Sequence, residues 1–295
     1  MPTSFQKRLP SLPIIFISLF IAAIGIGCGG GGAPAPAPTD QDAQGLYTTN
    51  GNGSGTFSVT TETLTEITET LTEIKGMVYG DLPNQKFIFF DLATNVLYEG
   101  NITSITLKDF VGTATVYHDG VMVDNAVTVS GTVTTRSTIS MTLAASGNFA
   151  GGSIDGLFIN PPSIFDTAAT NERSAASIVN VWDSLTDGSV KMVLGGMRTS
   201  SFRVNGDDSY STWIQKPEPL TRCDIEGDLK SGSTKNIYII STKVFKDVNG
   251  TCGLPLTPNY TGFASVVADD GAGKGTEMWY AITDGVNSIF TIVFR

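Results

Sequence analysis

Apolar and polar residues alternate with period two along much of this chain. In 126–134 (AVTVSGTVT), Val127, Val129, Gly131 and Val133 fall on one face, and Thr128, Ser130, Thr132 and Thr134 on the other. Residues 138–143 continue the pattern, with Ile139, Met141 and Leu143 inward. This period marks a half-buried antiparallel strand. Similar runs at 86–90, 98–107, 112–117, 237–245, 262–267, 278–282 and 289–294 predict further strands. Thr is common throughout, and a β-branched side chain packs well on a pleated surface.

Tight-turn signals separate the runs: His118-Asp119-Gly120, Asp187-Gly188, Asn205-Gly206, Asn249-Gly250, Asp269-Asp270-Gly271 and Asp284-Gly285. Asn-Gly and Asp-Gly supply the positive φ angles that short hairpins need. Strands joined by short hairpins, with few helical patterns, predict an all-β antiparallel meander and not a parallel α/β sheet. A break falls at 161–176, where Pro161-Pro162 ends the first strand-rich region and Asn171 could cap a short helix start. The expected architecture is therefore two small antiparallel meander barrels or sandwiches in tandem, over 46–165 and 171–295.

One segment departs from period two. Residues 61–67 and 68–74 are the same heptad, TETLTEI, twice. Leu64, Ile67, Leu71 and Ile74 then lie on one helical stripe with Glu62, Glu66, Glu69 and Glu73 beside it. Two heptads are short for a free coiled coil, and six Thr lower helix propensity. The alternative is an extended hairpin prolonging the first two strands.

The N-terminus carries a different pattern. Lys7 and Arg8 precede an uncharged apolar run, 14–27 (IIFISLFIAAIGIG), which ends on Cys28 and is followed by GGGGAPAPAPTDQDAQG. A basic start, a short apolar core and a small residue before the break describe a secretory signal. A membrane helix needs about 20 apolar residues, and this run has 14. The run stopping on a glycine-flanked Cys resembles a bacterial lipoprotein signal, although Gly25 stands where that pattern usually has Leu. The resemblance implies a signal peptide over 1–27 and a lipidated first mature residue, Cys28, anchored in the membrane by palmitate-type chains. Gly29 after the Cys implies the outer membrane. The Gly/Ala/Pro stretch after it, within 28–45, reads as an extended spacer holding the folded part off the membrane, with no core of its own.

Without residues 1–27 the chain has 268 residues and loses two of its 18 basic residues but none of its 28 acidic ones, a net charge of −12. An acidic, thinly charged protein does not suit nucleic acid, which needs clustered Lys and Arg. Anionic lipid repels it too, leaving membrane attachment to the lipid. Besides Cys28 only Cys223 and Cys252 remain, and in an exported chain this even pair predicts a disulfide. It would close a loop of 30 residues, for which chain entropy gives about 3–4 kcal/mol.

Candidate chemistry is sparse. His118 is the only histidine and sits in a turn. There is no G-x-S-x-G elbow, so no catalytic residue is assigned. The sequence from Gly271 to Thr276 superficially resembles a phosphate loop, but Ala268 replaces a required Gly and Gly275 follows the Lys. The turns at Asp247-Val248-Asn249-Gly250 and Asn205-Gly206-Asp207-Asp208 carry oxygen ligands without the spacing or distal Glu of a calcium loop. Neither a metal site nor a cofactor is expected. Trp182, Trp213, Trp279, Tyr280, Phe87, Phe89 and Phe90 could line a ligand cavity or simply fill the core.

The stretch 97–143, with LYEGNITSITL, then GTATVY, then SGTVTTRSTISMTL, resembles a group of proteobacterial lipoproteins of unknown role. So do Cys223-Asp224-Ile225-Glu226-Gly227, Cys252 and Tyr260-Thr261-Gly262-Phe263-Ala264 in the second half. The resemblance implies an envelope lipoprotein with tandem small β domains. Two functions then stand: a non-enzymatic module that meets a protein or glycan partner, or a lipocalin-like carrier of a small apolar ligand.

Overall fold

The alternating segments become strands in the computed structural model, which describes residues 38–49, 55–60, 66–71, 74–160, 180–182, 198–204, 209–216, 221–231, 236–247, 260–269 and 275–294. The first ten strands are β1 (Gly45–Thr48), β2 (Gly55–Thr60), β3 (Glu66–Leu71), β4 (Ile74–Tyr79), β5 (Gln85–Asp91), β6 (Val96–Thr106), β7 (Asp109–His118), β8 (Val121–Thr134), β9 (Thr138–Leu143) and β10 (Phe149–Ile159). The other eight are β11 (Asn180–Trp182), β12 (Arg198–Val204), β13 (Ser209–Lys216), β14 (Thr221–Ser231), β15 (Tyr238–Asp247), β16 (Thr261–Asp269), β17 (Gly275–Thr283) and β18 (Ser288–Phe294). No described residue is helical. The chain is all-β, with two antiparallel domains in tandem.

The first domain is a closed barrel of eight strands, β1, β4–β9 and β10, each paired antiparallel with its neighbours. Closure comes from β1 against β10, with Leu46 opposite Ile159, Tyr47 opposite Phe158 and Thr48 opposite Leu157. An eight-stranded barrel is just wide enough for side chains to fill, and this one is filled. Val127, Val129 and Val133 of β8 and Ile139, Met141 and Leu143 of β9 are buried in it, on the face that their alternation indicated. Phe87, Phe89, Tyr47 and Phe110 complete the filling. Glycines admit these rings: a Cβ on Gly76 would run into Phe89, and one on Gly100 into Phe87.

The described part of the duplicated heptad is extended. Its residues 66–71 are β3 and its last, Ile74, opens β4; 61–65, 72 and 73 lie outside the described residues. One half of β10 pairs with β1 and the other half with β2. Likewise β3 pairs with β2, and β4 with β1. Residues 66–71 of the repeat thus form, with β2, a ribbon paired to one half of β10. Pairing satisfies its backbone directly, and Thr favours that state.

The second domain is a sheet in strict sequence order, β11 to β18. Strands β13–β18 curl around a core of Tyr210, Ile225, Leu229, Tyr238, Ile240, Tyr260, Val266, Tyr280 and Ile289. The proposed break at 161–176, including Asn171, lies outside the described residues.

Two expectations change. First, the spacer does not stay free of the fold up to residue 45. Gln41 N–H donates to the Leu107 carbonyl at 2.6 Å, and the Asp40 carboxylate accepts from Leu107 N–H at 2.7 Å. Asp42 N–H donates to Thr135 Oγ1 at 2.6 Å, and Gln85 Nε2 donates to Asp42 Oδ1 at 2.7 Å. Ala43 is wholly buried. The acidic and amide side chains after the Ala-Pro run bond to turns at one end of the barrel and seat the chain there.

Second, the two domains of the tandem are packed together; residues 38–295 form one compact unit. Leu46, Met77, Ile88, Phe90, Leu97 and Tyr117 on the outside of the barrel share a buried cluster with Ile237, Phe263, Trp279, Ala281, Phe290 and Ile292. Phe90 meets Phe290 at 5.1 Å between ring centroids and Trp279 edge-on at 6.5 Å. This explains the apolar runs that do not alternate. In β5, Phe87 and Phe89 face the barrel interior while Ile88 and Phe90 face the second domain. In β17, Tyr280 enters its own core while Trp279 faces the barrel. A strand covered on both faces reads as a continuous apolar run.

Candidate functional site

The outward face of the barrel changes character over one strand pitch. Pairing lines up Tyr79 of β4, Lys86 of β5, Asn101 of β6, Thr113 of β7 and Thr128 of β8 in one transverse row. Period two places the whole row outside the barrel. Two residues along, Ile88, Glu99 and Thr115 form the next row. Ile88 is buried under the second domain, whereas Lys86, Asn101 and Thr113 are exposed. The apolar joint therefore ends at a polar seam.

A cleft of about 310 Å³ lies along this seam. Lys86, Asn101, Thr113 and Thr115 line its barrel side, and Phe263 of β16 closes it from the second domain. Asn125 joins them through a bulge in β8: the register skips from Ala114–Val127 to Val116–Asp124, so an extra residue on β8 stands against Thr115. A bulge re-aims side chains in this way.

Glu99 is half-buried and lines the cleft, and both domains hold it. Tyr117 Oη donates to Glu99 Oε2 at 3.4 Å, and Thr283 Oγ1 of β17 donates to the same oxygen. Burial, then the Glu99 carboxylate, raises the Tyr117 phenol well above its ordinary range, so it stays a neutral donor at physiological pH. Phe263 is braced from behind by Tyr79, with ring centroids 5.4 Å apart. The lining thus offers amides, hydroxyls, one ammonium, one carboxylate and the aromatic residues Phe87 and Phe263.

The sequence-derived candidates fall elsewhere. Cys28 and the signal 1–27 lie outside the described residues. Cys223 is wholly buried in β14 opposite Ile214, and Cys252 lies outside the described residues. His118 ends β7 and leads into a tight turn, with Asp119 at φ 50° and Gly120 at φ 79°. Its Nδ1 is 3.9 Å from Asp119 Oδ2. Residues 205–208, 248–250 and 271–274, which hold the calcium-like and phosphate-like loops, lie outside the described residues. Among the described residues no cluster of His, Cys, Asp or Glu is arranged to hold a metal.

Of the aromatic residues weighed as a cavity lining, Phe87 and Phe89 fill the barrel, Tyr280 fills the second core, and Phe90 and Trp279 form the joint. The side chains of Trp182 and Trp213 lie outside those described. The cleft itself combines residues 86–125 with residue 263, and no local motif announces it. The one sequence signal was the exposed polar side of each alternating strand.

No family model matches this chain, and no curated protein is similar to it. Its function is therefore argued from the cleft and the N-terminus.

Proposed function

We propose that the protein is a non-enzymatic binding module of the bacterial cell envelope. It is anchored in the outer membrane by lipid on Cys28 and meets a protein or glycan partner at the seam cleft. The observation that carries the binding reading is the cleft: Glu99 is held from both domains before any ligand arrives. Preorganised polar groups lower the ordering cost of binding.

The anchor reading is supported by the basic, apolar and Cys28 sequence at the N-terminus. It is also supported by the barrel exterior. Thr113, Thr128, Ser130, Thr132, Ser140 and Thr142 face outward and are exposed, unlike the apolar band of a membrane-spanning barrel. A carrier would need room inside the barrel, where the Phe87, Phe89 and Phe110 rings already sit.

Filling the cleft tests the binding reading. Thr113→Trp puts an indole at the centre of an exposed row and leaves the barrel interior untouched. Binding of the intact protein to purified peptidoglycan and outer-membrane fragments is expected to fall at least about tenfold, with unchanged circular dichroism. Equal binding by the variant and the wild type would remove the cleft from the function.

The exported reading also implies a bond between Cys223 and Cys252. Alkylation of freshly prepared, denatured, unreduced protein is expected to label neither. Cys223→Ala would then lower the stability of the second domain by up to about 3–4 kcal/mol. Two labelled thiols would count against an oxidised pair.

A further inference from the structure

We infer that the seam cleft takes a neutral saccharide of one or two rings. This rests on the binding reading above and names the ligand class for the same site. The cleft volume, about 310 Å³, lies at the small end of ligand sites.

Charge sets the first limit. Lys86 and Glu99 bring one positive and one negative group to the lining, so neither a polyanion nor a polycation is matched. A phosphate-bearing ligand calls for clustered Arg or Lys, and a single Lys faces the cleft. The acidic chain as a whole, −10 over its full length, further disfavours acidic ligands.

The chemistry of the centre sets the second. Protein partners are held by aromatic or Arg anchors at the middle of a buried patch. Here Asn101, Asn125, Thr113 and Thr115 supply most of the polar lining, and no Arg, Trp or Tyr lines the cleft. Amides and hydroxyls both donate and accept, which is what a row of sugar hydroxyls requires. Neighbouring strands are about 4.8 Å apart, so Lys86, Asn101 and Thr113 present polar groups at a spacing close to the width of one sugar ring. Phe263, braced by Tyr79, supplies a flat apolar wall for the C–H face of that ring. Glu99, already oriented by Tyr117 and Thr283, supplies a fixed acceptor.

The test titrates the intact lipidated protein, in a detergent without sugar headgroups, with maltose, lactose and di-N-acetylchitobiose. Digalacturonate and trilysine serve as charged controls, and calorimetry or amide chemical shifts report binding. At least one neutral disaccharide should bind with a Kd of about 0.1–1 mM. Asn101→Ala should weaken that binding at least about fivefold, and Thr113→Trp should abolish it, both with unchanged circular dichroism. Binding of the charged controls alone, or neutral binding equal in all three proteins, would overturn the inference. If no disaccharide binds but Thr113→Trp still removes binding to envelope fragments, the ligand class is wrong and the cleft reading stands. If fragment binding is also insensitive to Thr113→Trp, both readings fall.

Discussion

Trp279→Ala should loosen the second domain from the barrel and cost about 3–5 kcal/mol. Trp279 is 2% exposed and is the largest side chain of the joint. Its ring meets Phe90 edge-on at 6.5 Å, Lys75 Nζ lies 5.6 Å above it, and its indole N–H donates to Glu277 Oε1 at 2.9 Å. Truncation leaves a cavity between two rigid sheets, which cannot collapse to refill it. The expected result is a thermal midpoint lower by about 5–15 °C. Unfolding should also split, because the barrel keeps its own interior of Phe87, Phe89, Val127 and Val129 while the joint is weakened. A single transition within a degree of the wild type would mean that the joint contributes little. The same reasoning applies to cutting the chain between the domains: each half would expose six apolar side chains that are now covered, and self-association of the halves is expected in place of two well-behaved monomers.

Cys28→Ser should change where the protein is found, in an all-or-none way. The thiol is the site to which the proposed lipid is attached. A single acyl chain holds a protein only marginally, whereas several chains together are effectively stable. The acidic chain, −10 over its full length, has no compensating attraction for anionic lipid. Fractionation of cells expressing the variant should show it either unprocessed or released from the membrane, and palmitate labelling should disappear. A variant that fractionates and migrates like the wild type would refute the lipid anchor. The bonds of Asp40, Gln41 and Asp42 to the barrel bear on the result. They leave about ten residues between Cys28 and the first fixed residue, so at about 3.1 Å per residue the barrel would stand within roughly 30–40 Å of the membrane.

The sequence by itself determined the strands of the alternating runs, such as β5–β9 and β15–β18, with the inward face of β8 and β9 and the hairpin at His118-Asp119-Gly120. These are set by period-two burial and by positive φ, both local properties. Residues 127–143 show this best, since each apolar position there enters the barrel and each hydroxyl faces out. The sequence could not decide between helix and strand for TETLTEI. Its 3–4 spacing and its Thr content favour opposite states, and pairing of β3 with β2 selects the strand. Other decisions belonged to tertiary structure alone. Barrel closure rests on Leu46 meeting Ile159 across more than a hundred residues of chain. The joint turns the second faces of β5 and β17 from solvent-facing to buried, which no single segment can specify. The bonds of 40–44 to the barrel depend on where the turns at Leu107 and Thr135 come to lie. The cleft brings the bulged Asn125 of β8 and Phe263 of β16 to residues 86, 101 and 113, which lie far apart along the chain. Local alternation fixes which side of a strand is apolar, and only packing decides what covers it.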